Sequence, residues 1–278
     1  MMTAPSASEV PVAERRRIQA RARRLARRAA SLASEGRTDE AIVCQNEVTS
    51  LRPQDPVAFF RLGLLYREAR RTDQAVHALR HAASLSPSDR DPREALTETL
   101  VEANRFEEAV QEARALIRVA PRSLFARDAL SVSYLQMGKL DKALQVTGEM
   151  VWLDPLNPGH HFRRGLLFQQ QGNVRAAVGE YGRALEMSHP ESETYADAEE
   201  ALEILDDRQT RQILLLASED RVFLLKLRRD LGEAVEERGF FLSEDGMDRM
   251  EHLIPMEFPD WVGDLPAPTS WSGTGLYN

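Results

Sequence analysis

The sequence predicts an all-α protein: a right-handed α-solenoid of five helix pairs with a capping helix, followed by a small helical module and a disordered C-terminal tail. Three observations predict this class. An alanine recurs with a constant period within similar phrases, at Ala41, Ala75, Ala109, Ala143 and Ala177. A proline keeps the same period at Pro53, Pro87, Pro121 and Pro155. Apolar residues make up 42% of the chain and aromatic residues only 6%, which favours helices rich in alanine and leucine over a β-sandwich.

Each repeat predicts two helices that pack against each other. In the second repeat, the apolar face of the first helix holds, at helical spacing, Phe59, Leu62, Gly63 and Tyr66. Gly63 predicts a close approach of the paired helix, because glycine has no side chain. Pro87 is expected to end the second helix, because proline lacks an N–H group and clashes with the preceding turn. One pair cannot bury its apolar face alone, so the pairs are expected to stack.

The start of a new pair has a signature of its own. An Asp or Asn followed by proline predicts a helix N-cap with proline at the first helical position, as at Asp55-Pro56, Asp91-Pro92 and Asn157-Pro158. Glycine also recurs with the same period, shortly before the alanine, at Gly36, Gly138 and Gly172.

Together these residues resemble the tetratricopeptide repeat, a helix pair of about 34 residues. The matching positions of the second repeat are Leu62, Gly63, Tyr66, Ala75, Leu79, Ala82 and Pro87. The first and third repeats depart from the pattern, with Arg28 and Thr97 where leucine and glycine are usual. The resemblance covers about residues 21–190 and implies a non-enzymatic scaffold that binds a partner protein or peptide.

The expected domains follow the limits of the repeat. Residues 1–14 are expected to be a disordered N-terminus, and residues 15–207 the repeat array with its capping helix. The cap, Ser192–Asp207, has one apolar and one acidic side, as the end of a solenoid requires. Residues 208–254 are expected to form the small helical module, and residues 255–278 the flexible tail.

The first helices of a stacked array line its concave surface, and their residues beside the core face define a candidate peptide-binding groove. The candidate residues are Val57, Phe60, Leu64, Glu94, Glu98, Phe125, Asp128, Val132, Phe162 and Leu166. Several are apolar although packing within a pair does not require them, which favours an amphipathic or aromatic-bearing peptide as the ligand. The alternative is that they only thicken the core between pairs.

After Asp207 the period is lost, and three short helices are expected. The first ends before Ser218, and the second runs from about Glu219 through Glu237 and stops at Gly239. The third opens after Ser243 and stops before Pro255.

Residues 218–254 resemble the leader regions of ribosomally made, post-translationally modified peptides of the nitrile-hydratase-like and borosin types. The shared pattern is an acidic residue, an apolar helix, an Asp, an Ala, a Gly and then Leu-Ser, and it departs at Asp230-Leu231, where Asp-Pro is usual. This resemblance implies an alternative function. The protein would be a precursor whose residues 255–278 are modified by a peptide-modifying enzyme that docks on the helical region.

The tail holds aromatic residues that have no evident core to join. Trp261, Trp271 and Tyr277 lie among prolines, glycines and serines close to the terminal Asn278. An unfolded segment gains little by exposing large apolar rings. These residues are therefore expected to be presented to a protein, either as a docking peptide or as the segment that is modified.

Net charge, cysteine content and motifs limit the kinds of partner and of chemical site that are expected. The formal net charge of −8 argues against nucleic acid or an anionic membrane as the main partner. Cys44 is the only cysteine, so no intramolecular disulfide can form, which favours a cytoplasmic location. His77 and His81 have the i, i+4 spacing of metal ligands but no third ligand nearby, and no catalytic or nucleotide-binding motif occurs. No catalytic residue, metal or cofactor is expected.

One segment runs against the net charge. Arg15–Arg28 carries eight arginines and is expected to be helical, with Ile18 and Leu25 facing inward and most arginines outward. Three interpretations are open: a solvated helix, docking to an acidic surface of this chain or of a partner, and binding of nucleic acid.

Overall fold

The computed structural model describes residues 11–259, and every regular element in that range is an α-helix. The helices are α1 Val12–Ser34, α2 Thr38–Leu51, α3 Pro56–Glu68, α4 Thr72–Leu85, α5 Asp91–Glu102, α6 Phe106–Val119, α7 Leu124–Gln136, α8 Leu140–Leu153, α9 Pro158–Gln171, α10 Val174–Met187, α11 Glu193–Glu219, α12 Arg221–Arg229, α13 Leu231–Glu237 and α14 Glu244–Glu257. The all-α class is confirmed. The chain divides between Leu156 and Asn157 into two compact units, which are described separately.

The first unit holds four helix pairs, each formed by consecutive helices from α1 to α8. Helix α3 also packs beside α5, and α5 beside α7, so the first helices of successive pairs line one side of the stack. Buried clusters join neighbouring pairs: Leu32 and Ile42 of the first pair pack with Leu62 of the second. Leu79 of the second pair likewise packs with Leu96 of the third. The pairs therefore share one core, as stacking requires.

The helices of a pair approach most closely at one small residue. A Cβ placed on Gly63 of α3 would lie 2.5 Å from Cγ of Leu79 on α4. The repeat-equivalent position, Gly165 of α9, meets Tyr181 in the same way, with its hypothetical Cβ 2.5 Å from Cε1 of the ring. Glycine at these positions leaves room for a large side chain from the second helix.

The turn inside each of five pairs uses the same left-handed conformation. Positive φ angles recur with the period of the repeat, at Gly36 (74°), Arg70 (55°), Asn104 (57°), Gly138 (68°) and Gly172 (80°). The period of the glycines therefore marks a backbone requirement that the second and third repeats meet without glycine. A left-handed conformation is disfavoured for arginine because its Cβ crowds the following carbonyl.

The N-cap expectation is confirmed at two of its three sites. The Asp55 carboxylate accepts hydrogen bonds from the N–H groups of Val57 and Ala58, and Asn157 accepts one from Gly159. At Asp91-Pro92 the expectation is wrong, because Asp91 is already the first residue of α5. Asp89, which stands at the position equivalent to Asp55, accepts the N–H of Asp91 instead. The repeat period located this cap better than the dipeptide did.

The second unit contains the fifth pair, α9 and α10, followed by four more helices. Helix α11 runs without a break from Glu193 to Glu219, so the cap does not end at Asp207 and no separate helix precedes Ser218. The reason is that no Gly or Pro interrupts it, and a buried stripe continues along its length, made of Ala198, Leu202, Leu205, Ile213 and Ala217. The expected boundary between residues 207 and 208 falls inside this helix.

Two more helix limits differ from expectation. The helix expected from Glu219 to Glu237 is broken at Asp230, whose carboxylate accepts the N–H of Glu233 and so caps a new helix, α13. The last helix does not stop before Pro255 but includes it. Phe258 packs on the apolar core of this unit and donates its N–H to the Ile254 carbonyl, which holds the final turn together across the proline.

We predict that Arg70→Gly stabilises the protein by about 0.5–1 kcal/mol, because it removes the left-handed strain at the cost of some unfolded-state entropy. Asn104→Gly should stabilise less, because asparagine tolerates this conformation better than arginine. Denaturant unfolding of the two variants measures the difference. An Arg70→Gly variant no more stable than the natural protein would contradict the assignment of strain.

We also predict that Gly63→Ala destabilises the protein by about 1–3 kcal/mol, because the added methyl group overlaps Leu79. The cost should shrink in a Leu79→Ala background, where the space is empty, so a double-mutant cycle measures the coupling. Gly148→Ala on α8 is the control. Its Cβ would meet nothing within 4 Å, so it should be neutral or stabilising. Equal costs for Gly63→Ala in both backgrounds would contradict the proposed overlap.

Candidate functional site

The groove candidates of the first unit lie on α3, α5 and α7, the helices that line one side of the stack. Val57 is 51% exposed, Leu64 37% and Phe125 38%, so these apolar side chains are open to a ligand. Phe60 is different, because it packs against the buried cluster that joins the second and third pairs. Phe60 therefore contributes to the core between pairs, which was the alternative interpretation of the groove candidates.

The acidic middle of the groove is partly neutralised from the neighbouring helix. Arg67 on α3 donates to Glu98 at 2.5 Å and to both carboxylate oxygens of Glu102, at 2.6 and 3.1 Å. The hydrogen bonds to Glu98, and then those to Glu102, raise the pKa of Arg67 above its usual value. Glu94 lies one turn before Glu98 on α5 and is half-buried. Arg67 thus shares one positive charge between Glu98 and Glu102, which leaves these two carboxylates only partly compensated.

The remaining groove candidates are less exposed or lie in the other unit. On α7, Asp128 and Val132 are half-buried. On α9, Leu166 is 44% exposed, whereas Phe162 packs on the Tyr181 ring with centroids 5.7 Å apart. Phe162 and Leu166 belong to the second unit, so they are described apart from the groove residues of α3, α5 and α7.

A polar contact between the two helices of a pair recurs with the repeat and was not predicted from the sequence. Three equivalent first-helix positions of successive repeats each pair with a glutamate on the second helix of the same pair: Arg93 with Glu112 at 2.8 Å, Arg127 with Glu149 at 3.0 Å and His161 with Glu180 at 2.9 Å. The three first-helix residues recur with the period of the repeat, so the sequence could have indicated the contact. It was missed because the residue type changes from arginine to histidine. The site ties together the two helices of each pair.

The histidine in this series takes part in a structural network. Glu180 is buried, and its other oxygen accepts from Arg164 at 2.7 Å and from Arg183 at 2.8 Å. Three groups from α9 and α10 therefore surround one carboxylate, which satisfies a charge that would be costly to bury alone. Nearby, burial raises the pKa of Tyr181 to about 12, and its hydroxyl donates to Gln169 at 2.6 Å.

The second unit also has a cleft of about 500 Å³ between α10, α11 and the start of α14, which we call the acidic cleft. Its exposed carboxylates are Glu186, Glu199, Glu203, Glu244 and Asp245, around a floor that includes Leu185, Tyr195 and Leu202. Sequence analysis did not find it, because α14 is distant in the chain from α10 and α11. Only the acidic face of α11 could be recognised from the sequence.

Two buried polar residues of α11 hold the segment that leads into α14, one wall of the acidic cleft. The Gln209 side chain donates to the Phe241 carbonyl and accepts the Phe241 N–H, both at 2.8 Å. Asp206 accepts the N–H and the hydroxyl of Ser243, the N-cap of α14. Gly246 sits against Asp206, where a Cβ would lie 2.5 Å from Cγ of the carboxylate. These contacts place the N-terminus of α14 against α11.

Two other residues singled out in the sequence, Cys44 and His81, pack against neighbouring side chains. Cys44 is buried in the core of the first two pairs. His81 is not simply solvated, because it packs edge-on to Phe59 with ring centroids 4.3 Å apart. Within residues 11–259, no three His, Cys, Asp or Glu side chains gather where they could hold a metal ion. In that range no helix is both long and apolar enough to cross a membrane.

The tail candidates Trp261, Trp271, Tyr277 and Asn278 lie outside the described residues. Their role in docking or modification stays a prediction. The precursor interpretation, and the peptide-modifying enzyme it requires, receives no support from the comparisons with known proteins described next.

The comparisons agree on the helical repeat. No curated protein matches the chain. Among solved structures, MamA residues 41 to the end from Desulfovibrio magneticus RS-1 is 18% identical, with a TM-score of 0.54, over 60% of this chain and 94% of that one. YrrB, described as a TPR protein with an unusual peptide-binding site, is 17% identical, with a TM-score of 0.53, over 63% and 90%. At these identities the likeness concerns the fold.

A family match is more direct. Residues 19–157 match the family described as Psidin, N-terminal TPR repeats region. The match begins in α1 and ends at Asn157, the N-cap residue before α9, so it covers the stacked pairs of the first unit. Because it covers half of the 278 residues, the chain belongs to this family of tetratricopeptide-repeat proteins.

Proposed function

We propose that this protein is a non-enzymatic scaffold that binds a partner peptide through the groove formed by α3, α5 and α7. The observation that carries the proposal is the exposure of Val57, Leu64 and Phe125 on helices that line one side of the stack. Packing within the pairs leaves these side chains partly exposed. Exposed apolar groups that share one side of a helical stack are typical of a binding site for a protein segment.

The electrostatics of the groove indicate what kind of peptide it would take. Val57 and Leu64 on α3 and Phe125 on α7 lie on either side of α5, which contributes Glu94 and Glu98. A peptide with two apolar anchors separated by a lysine or arginine would match this order. Arg67 already engages Glu98, so Glu94 is the carboxylate left to receive the peptide's basic side chain.

Two further observations support a binding function. YrrB, whose fold is similar, is described as having a peptide-binding site, which shows that this architecture can carry one. Leu166 of α9 is exposed at the position equivalent to Val132 one repeat earlier, and with Phe162 it is proposed as a separate binding surface of the second unit.

The proposal is tested by selecting peptides from a random display library on the full chain and measuring their affinity by calorimetry. Phe125→Ala and Leu64→Ala should each weaken binding by about 2 kcal/mol, roughly 30-fold, because each removes an apolar anchor. Neither variant should lower the melting temperature by more than a few degrees, since both side chains are exposed.

Val119→Ala is the matched control, because Val119 is 38% exposed, like Phe125, but lies on α6, a second helix. It should bind the selected peptides as tightly as the natural protein does. Glu94→Lys should select against basic peptides and leave neutral ones unaffected. Selected peptides that bind equally well to all of these variants would contradict the groove proposal.

A further inference from the structure

Helix α1 carries an exposed basic stripe. Arg16, Arg23 and Arg27 lie on one side of the helix, away from the buried Ala22 and Ala29. They are exposed and make no ion pair within residues 11–259. At 1.5 Å per residue, the stripe is about 16 Å long. We call these three residues the basic stripe.

The acidic cleft of the second unit has the opposite charge and equally little internal compensation. Glu186 on α10 and Glu199 and Glu203 on α11 are exposed and make no ion pair within the described residues. Arg249, the cation in its lining, is engaged by Asp206 at 3.5 Å and Asp207 at 3.2 Å. Carboxylates that converge without a cation repel one another, and a bound cation would relieve this repulsion.

The shape of the acidic cleft suits arginine rather than a small ion. Its floor is apolar at Leu185 and Leu202, and it is open above Gly182, where a Cβ would meet nothing within 4 Å. An arginine side chain can lay its apolar stem on such a floor while its guanidinium reaches the carboxylates at the rim. The separation of the carboxylates over three helices would engage several arginines at once.

We propose that the basic stripe of one copy docks in the acidic cleft of a second copy, so that the protein associates head to tail. Every copy carries both surfaces, so the complementary partner is always present at the same concentration. The contact joins two different surfaces, and such a contact can build a ring or a chain. It leaves the peptide groove of α3, α5 and α7 unused, so this proposal and the proposed function can fail independently.

The test is a charge exchange on the full chain, with mass measured by light scattering during size-exclusion chromatography. One variant carries Arg16→Glu, Arg23→Glu and Arg27→Glu; the other carries Glu186→Arg, Glu199→Arg and Glu203→Arg. The natural protein should associate at about 100 μM in low salt. It should dissociate towards about 1 M NaCl, where the Debye length falls to about 3 Å.

Each variant alone should associate at least about tenfold more weakly, because like charges then face each other. An equimolar mixture of the two should associate again, since both contacts become complementary. Arg70→Glu, on the turn between α3 and α4, is the control for a general effect of charge and should not change association. Circular dichroism should show the same helix content for all of these proteins.

Four outcomes would overturn the proposal. They are a natural protein that stays monomeric, a mixture that stays dissociated, an effect of only one of the two variants, and an Arg70→Glu variant that dissociates like them. A monomer whose radius of gyration changes in both variants would indicate that the stripe and the cleft meet within one chain. A monomer that binds duplex DNA, and loses this with the arginine variant, would assign the stripe to nucleic acid.

Discussion

The close approach of two helices at one small residue is the constraint on which the repeat depends. The residue recurs once in each repeat as Ala29, Gly63, Thr97, Ser131 and Gly165, and all five are buried. Opposite it, the second helix of each pair supplies Gln45, Leu79, Ala113, Thr147 and Tyr181, also buried. The two glycines face Leu79 and Tyr181, the two bulkiest of these partners. At these two sites a large side chain of the second helix fills the space beside the glycine of the first helix, as a close-packed core requires.

Around this contact, smaller interactions with the same period set how consecutive pairs meet. Arg71 pairs with Asp39 at 2.6 Å, and one repeat later Arg105 pairs with Asp73 at 3.0 Å. Both pairs are exposed and contribute little energy individually. Their value lies in orientation, because each joins the starts of two successive second helices. The left-handed turn at Arg70 and Asn104 immediately precedes these arginines and fixes the direction in which they leave.

The proposed functions rest on side chains that this packing leaves exposed. The helix contact covers one face of each first helix and leaves Val57, Leu64 and Phe125 partly exposed. The charge distribution of the chain has the same origin. An overall negative protein keeps an arginine stripe on α1 and a group of carboxylates around the acidic cleft, and neither is neutralised by its own unit. Surfaces of this kind favour association that is weak, orienting and sensitive to salt.

The sequence by itself determined the helix pairs, their period and most of their caps. These features depend on residues close together in the chain, where Ala, Pro, Gly and Asp act through local backbone geometry. It also predicted that the first helices of successive pairs lie side by side, as α3, α5 and α7 do.

Only the tertiary structure decided the rest. It showed that Phe60 is partly core and that α11 continues past Asp207. It also showed that Asp206 and Gln209, two polar residues on the buried side of α11, hold a segment that is distant in the chain. Each of these depends on a contact between separate parts of the sequence. The reason is physical: a local pattern specifies which face of a helix is apolar, but the partner that covers or leaves open a given side chain is set by packing with other elements.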